Sequence, residues 1–216
     1  MSKKYEIFLF DLDGTITDSA LGITNSVMYA LKKFGIEETD RTKLYKFIGP
    51  PLTESFEKFY GFTKEQSLDG VKYYREYYHD KGIYENRVYD GLEEVLKKIN
   101  EAGKRAIVAT SKPEEYAKII IDHFHLTQYF ACVAGMEMDG GRGTKAQVIT
   151  YALEKNDITD KSNVLMIGDR EHDVIGAHEN GLDCLGILYG FGSRKEFEEA
   201  GADYIRENVE DILQFV

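Results

Sequence analysis

Cysteine and proline are scarce in this 216-residue chain, cationic residues are in the minority, and no apolar run is long enough to span a bilayer. The two cysteines, Cys132 and Cys184, each lie in an apolar run and read as packed thiols rather than a disulfide, which fits a reducing, cytoplasmic setting. Lys and Arg number 27 against 38 Asp and Glu, a net charge of -11. That balance argues against a nucleic-acid polymer or an anionic membrane surface as the main partner, because both are polyanions. An anionic small substrate stays compatible with it if a metal and a few Lys or Arg side chains reverse the charge locally. Met1-Ser2-Lys3-Lys4 is followed only by a short apolar run that ends in acids, so it does not read as a signal peptide. No internal repeat, low-complexity stretch or Walker A pattern is found. What remains is globular in composition, 43% hydrophobic and 30% charged, and long enough for one large domain or a core with a smaller companion.

The sharpest local signal comes early. Ile7, Phe8, Leu9 and Phe10 stop abruptly at Asp11-Leu12-Asp13-Gly14-Thr15. A short run of large apolar residues reads as a strand buried on both faces, with the two acids at its carboxyl end, where open α/β sheets place their ligands. Two carboxylates about 4 Å apart at an effective dielectric of about 20 repel by about 4 kcal/mol, so such a pair calls for a cation between them. A magnesium site with a nucleophilic aspartate fits these residues; so does a strand that merely ends in an Asp-x-Asp-Gly turn.

The rest of the chain bears on that choice. Ile23, Val27, Ala30, Leu31 and Phe34 recur at helical spacing with Gly35 as a stop, Gly49-Pro50-Pro51 interrupts, and further helices are expected over 53–60 and 64–79. No convincing strand is expected over 15–86. From Val88 the pattern alternates: a helix capped by Asp90 and ended by Gly103, a strand over 105–109, a helix opened by Pro113, strands at 131–134, 164–167 and 184–188, and helices over 144–154 and 174–178. Strand and helix in alternation imply a doubly wound α/β domain with a parallel, Rossmann-like sheet. The expected organisation is a core of 1–15 and 88–216 interrupted by a helical cap over 16–87, an insert far longer than an ordinary connection and more suited to a lid than a loop. The tyrosines Tyr73, Tyr74, Tyr77 and Tyr78 could stack on a nucleobase, but such a stripe more often packs a small helical domain.

In a parallel sheet the other strand ends converge on the rim that carries Asp11. The first contributes Thr110-Ser111-Lys112; another contributes Gly168-Asp169-Arg170-Glu171-His172-Asp173. Asp139-Gly140-Gly141-Arg142-Gly143-Thr144-Lys145 reads as a flexible turn opening a helix whose first turn holds a lysine, a ready anion site. Its match to a dinucleotide pattern from Gly141 to Ala146 carries little weight away from the first strand–helix turn. Each piece has an ordinary structural reading as a strand threonine, a helix cap or a solvated lysine. Together they assemble the acids, hydroxyls and lysine that phosphoryl transfer needs.

With these motifs in order, the chain resembles the haloacid dehalogenase-type hydrolases, in the phosphoglycolate phosphatase-like branch. The resemblance rests on Phe10 to Thr15, the helical segment after it, Ala-Thr-Ser-Lys-Pro at 109–113, Lys145, and Gly-Asp-Arg-Glu-His-Asp at 168–173. It implies that Asp11 is the nucleophile and Asp13 the general acid and base, and that Thr110, Ser111 and Lys145 hold phosphoryl oxygens. It also implies that Asp11, the backbone carbonyl of Asp13, and Asp169 bind Mg2+, with Asp173 orienting Lys145 or a metal-bound water. Ser111 stands where many members carry asparagine. Phe-Ile-Gly-Pro-Pro-Leu at 47–52 and Tyr-Gly-Phe-Gly-Ser at 189–193 look like members labelled 5'-nucleotidase. Phosphoglycolate phosphatase and phosphohexose mutase are alternatives for the same core chemistry. A phosphoacceptor signalling domain is the alternative of a different class, but its accepting aspartate lies on a later strand. A carbon–halogen hydrolase needs neither an acid at position 13 nor magnesium. The expected partner is a small phosphorylated metabolite.

Overall fold

The computed structural model of the chain describes residues 3–138 and 141–216. The described residues form two compact units, one drawn from the ranges 1–17 and 88–216 and the other of residues 18–87.

The larger unit is built on β1 (Ile7–Phe10), whose four residues are all buried. It lies at the centre of a six-stranded sheet and pairs in parallel with β4 (Arg105–Pro113) on one side and β6 (Val164–Gly168) on the other. The remaining strands are β5 (Phe130–Met136), β7 (Asp183–Ile187) and β8 (Tyr204–Arg206), giving the order β5-β4-β1-β6-β7-β8 with parallel pairing throughout. Helices α4 (Leu92–Glu101) and α5 (Glu114–His123) pack on β4, and α6 (Lys145–Lys155), α7 (Glu171–Glu179) and α8 (Arg194–Ala200) complete the unit. From β1 the chain adds strands in one direction, then returns to β1 and adds β6, β7 and β8 in the other. Right-handed crossovers in opposite directions send α6, α7 and α8 to the face opposite α4 and α5. Leu9, Ile107 and Met166 accordingly share a buried cluster with Val148 and Ile149 of α6, Val174 and Ala177 of α7, and Phe197 of α8.

Winding in two directions leaves a crevice at the carboxyl ends of β1 and β6, the switch point where such sheets bind ligands. Asp11 follows β1 and donates its N–H to the Ile167 carbonyl at 2.9 Å, and Asp169 follows β6.

The smaller unit contains α1 (Ala20–Lys33), a 3-10 turn at Arg41–Phe47, α2 (Leu52–Tyr60) and α3 (Lys64–Tyr77), which continues as a π turn at Tyr78–Gly82. Tyr74 and Tyr78 are buried and stack with ring centroids 5.3 Å apart, while Tyr73 packs on Phe34 and Tyr77 on Tyr29. The tyrosine stripe is thus the packing face of this unit. No helix among the described residues is long and apolar enough to cross a membrane, and both cysteines are free.

Several local expectations are corrected. A two-residue strand, β2 (Thr17–Asp18), occurs inside the stretch read as strand-free and pairs with β3 (Arg87–Val88), a segment too short to leave a periodic signal. Gly91 in the left-handed conformation, not Asp90, precedes α4. The strand read as ending at Ala109 runs on to Pro113, through an irregularity between Thr110 and Pro113. Asp139 and Gly140 of the expected glycine-rich turn lie outside the described residues.

Leu9, fully buried on the central strand, gives the expected measure of this core. Leu9→Ala should lower stability in urea unfolding by about 2–5 kcal/mol, while Leu68→Ala, at a position 57% exposed, should stay within about 0.5 kcal/mol of the parent. Equal effects of the two changes would contradict the packing described.

Candidate active site

Three strand ends and two helix starts deliver acids and cations to the switch point. Asp11 and Asp13 come from the turn after β1, Thr110 and Lys112 from the end of β4, Lys145 from the start of α6, and Asp169 and Asp173 from the end of β6 and the first turn of α7. Asp11, Asp13, Thr110, Lys112, Lys145, Asp169 and Asp173 are all buried, Asp169 completely. Buried charges of this kind persist only when paired or held around a cation.

Lys145 is the first partner. Its ammonium lies 2.8 Å from Asp11 Oδ1 and 2.7 Å from Asp173 Oδ1, and donates to the Ala109 carbonyl at 3.0 Å. Thr144 caps α6, accepting from the Gln147 N–H at 3.2 Å while the Gln147 side chain accepts from the Thr144 N–H at 3.2 Å. The helix start is therefore self-capped, and its first-turn lysine turns inward. Burial disfavours the charged Lys145, but the Asp11 and Asp173 carboxylates outweigh it and hold the ammonium above its ordinary pKa.

The second cation, Lys112, carries no signal in sequence that marks it as a site residue, because an irregularity in β4 places it. Lys112 Nζ sits 2.6 Å from Asp13 Oδ2, and its backbone N–H donates to Thr110 Oγ1 at 3.1 Å. Ser111 between them is half-buried and has no hydrogen bond to the carboxylates among the described residues.

Asp169 forms no ion pair among the described residues, although the Arg170 charge pulls its carboxyl downward. Its Oδ2 accepts from the Phe191 N–H at 2.8 Å, while its Oδ1 is buried without a hydrogen-bond partner. Burial pushes its carboxyl well above the ordinary range, and the charges of Asp173 and Asp11 push it further. Burial likewise raises Asp173 to about 6, against the pull of Lys145. Gly14 makes this approach possible: it sits at φ +84°, and a Cβ there would fall 2.0 Å from Asp169 Oδ2. Tyr189, just ahead of the 190–192 turn, is half-buried and donates its hydroxyl to the Thr15 carbonyl at 3.0 Å, which ties that turn to the one carrying Asp11 and Asp13.

Oxygens of Asp11, Asp169 and Asp173 lie within 4.8 Å of one another. With all acids ionised, the carboxylates of Asp11, Asp13, Asp169 and Asp173 outnumber the ammonium groups of Lys112 and Lys145 by two charges. An all-oxygen donor set, an orphaned buried carboxylate oxygen and a deficit of two positive charges fit one hard divalent cation such as Mg2+. Of the residues expected from sequence, Asp11, Asp169, Asp173 and Lys145 lie together, Asp13 joins Lys112 and, through the Lys112 backbone, Thr110, and Ser111 makes none of these contacts among the described residues.

Comparison with known proteins bears on the same residues. Residues 8–187 match the sequence model of the haloacid dehalogenase-like hydrolase family. The chain is 45% identical over 193 residues to a 5'-nucleotidase of Pseudomonas aeruginosa, covering 89% of this chain and 87% of that one. It is 36% identical over 188 residues to a protein of Mycobacterium tuberculosis named tyrosine-protein kinase PtkA, covering 87% of this chain but only 63% of that one. Among solved structures, a protein from Clostridium acetobutylicum described as a predicted phosphatase superposes with a TM-score of 0.94 at 47% identity over 98% of both chains.

The raised carboxyl of Asp169 has a measurable sign. Its proton is held more tightly in the folded than in the unfolded state, so its contribution to stability is present at low pH and lost as pH rises through the raised value. Asn at this position cannot ionise. In the presence of chelator, Asp169→Asn should therefore unfold at a higher temperature than the parent, by about 2–4 °C per kcal/mol, with a margin that widens from pH 5 to pH 8. A margin that shrinks with rising pH would contradict the charge excess described.

Proposed function

Because the chain belongs to the haloacid dehalogenase-like hydrolase family, we propose that it is a magnesium-dependent phosphatase which cleaves small phosphomonoesters through an aspartyl-phosphate on Asp11, with nucleoside 5'-monophosphates as its substrates. That it is a phosphatase of this family follows from its relatives. The single observation that carries the mechanism is the position of Asp11: buried at the end of the central strand, 2.8 Å from the Lys145 ammonium and among the carboxylates of Asp169 and Asp173.

A phosphate monoester repels an anionic nucleophile, so attack needs positive charge on the phosphoryl oxygens and a nucleophile already in line. Lys145 supplies one positive charge, and Thr110 places a hydroxyl on the same rim. Mg2+, held by Asp11, the Asp13 carbonyl and Asp169, would supply the rest as a Lewis acid on the phosphoryl group. A carboxylate oxygen of Asp11 attacks phosphorus and the bond to the ester oxygen breaks. Asp13 gives its proton to the departing alkoxide, which leaves as an alcohol. In the second half a water molecule surrenders a proton to Asp13 and attacks phosphorus, the acyl–phosphate bond breaks, and inorganic phosphate and Asp11 are released. Asp173 acts through Lys145, whose ammonium it holds at 2.7 Å. The preference for nucleotides rests on the 45% identity to a 5'-nucleotidase over most of both chains.

Asp11→Asn should lower magnesium-dependent hydrolysis by more than about 10³-fold without changing the circular dichroism spectrum. Retention of a tenth of the parent rate would refute the nucleophile. In a screen of phosphorylated metabolites with magnesium, nucleoside 5'-monophosphates should give the highest kcat/KM; a higher value for phosphoglycolate or a sugar phosphate would overturn the substrate reading. Chelator should abolish turnover, and added Mg2+ should restore it.

A further inference from the structure

Resting on the reading of Asp13 as general acid and base, we propose that Lys112 is the positioning residue for Asp13: it clamps one carboxylate oxygen so that the other alone faces the reacting phosphoryl group.

Asp13 Oδ2 is bound to the Lys112 ammonium at 2.6 Å, and Asp13 Oδ1 is buried with no hydrogen-bond partner. A short charge-assisted contact to one oxygen of a carboxylate fixes the rotation of the whole group and hence the direction of the other oxygen. The side chains involved are 5% and 11% exposed, so water does not compete for the clamp.

The backbone is shaped to deliver this lysine. In the pairing of β4 with β5, Thr110 faces Gly135 and the next matched pair is Pro113 with Met136. Ser111 and Lys112 are thus accommodated as a bulge, a device that re-aims side chains at the rim of a sheet. Alternation along a regular strand gives no reason for Lys112 to be buried beside Asp13. The bulge depends in turn on Gly135, where a Cβ would fall 2.6 Å from the Lys112 carbonyl oxygen and from Glu114 Cα. The Lys112 N–H is tied to Thr110 Oγ1, so the hydroxyl placed for phosphate and the clamp on the acid belong to one rigid turn.

Lys112 and Lys145 then divide the labour. Lys145 lies against Asp11 and Asp173, whereas the Lys112 ammonium lies against Asp13 at 2.6 Å. Removing Lys112 should act on proton transfer rather than on phosphate capture. Misplacement of a catalytic group by about 1 Å costs about 10²-fold in rate.

The test is a double-mutant cycle of Lys112→Met and Asp13→Asn, read as kcat and KM on a series from alkyl to aryl phosphates. Lys112→Met is expected to lower kcat/KM by about 10²-fold for alkyl esters, whose alkoxide must be protonated as it leaves, and by less than tenfold for nitrophenyl phosphate. In the Asp13→Asn background the same change should cost less than about threefold, because its target is already gone. Lys112→Arg, which retains the charge, should recover part of the loss, and thermal unfolding monitors the fold of every variant. Additive losses in the cycle, or equal losses across the ester series, would overturn the role assigned to Lys112 while leaving Asp13 as the acid. Full activity of Asp13→Asn would instead remove the underlying reading.

Discussion

Four buried carboxylates meeting two buried ammonium groups is the constraint on which the rest of this structure depends. Carboxylate oxygens within 4.8 Å of one another repel by about 3 kcal/mol per pair at an effective dielectric of about 20, and burial adds a desolvation cost to each. The Lys145 ammonium is shared by Asp11 and Asp173, the Lys112 ammonium is held by Asp13, and Asp169 is left with a backbone N–H. With every acid ionised an imbalance of two charges remains, which a divalent cation would answer. An arrangement that opposes stability yet is maintained by a precise backbone is characteristic of a functional site.

The fold meets the constraint with rigid parts. β1 is central and buried on both faces, so the turn that carries Asp11 and Asp13 is anchored by hydrogen-bonded neighbours on either side. The reversal of winding direction opens the crevice where Asp169 arrives from β6. Gly14, with no side chain and a left-handed backbone, lets that carboxylate come close, and the 189–192 segment closes over it through the Phe191 N–H and the Tyr189 hydroxyl. Position in the sheet, rather than the identity of any one loop, makes distant residues meet.

Much of this was legible in the sequence because its signals are local. The apolar run at 7–10 followed by two acids and the acid at 169 after its own apolar run each mark a strand end, the hydroxyl pair at 110–111 lies near one, and Asp173 follows in the next helix turn; a parallel sheet gathers strand ends on one rim. The inward turn of Lys145 agrees with its expected place, although the helix start there is satisfied by Thr144 and Gln147 rather than offered to an anion. What escaped depends on contacts between segments far apart in the chain. The continuation of β4 to Pro113 is set by its register with β5 and by the missing side chain at Gly135, and neither leaves a mark in the periodicity of 105–113. Residue order places the Lys112 cation near the strand end, but its pairing with Asp13 is set by the bulge. The Phe191 N–H on Asp169 is a backbone contact, which residue identity does not encode. Gly91 replaced Asp90 ahead of α4 because the turn there takes the left-handed conformation that glycine adopts without strain.

Calorimetric titration of Mg2+ into the chelator-stripped protein near pH 6, repeated in buffers of different ionisation enthalpy, tests the central claim most directly. Asp173 is raised to about 6 and Asp169 is raised as well, so ion binding must displace protons from the cluster. The account predicts one ion per chain, a heat that depends on the buffer through net proton release, and loss of both in Asp169→Asn. Absence of binding, or binding with no proton release that survives Asp169→Asn, would contradict it.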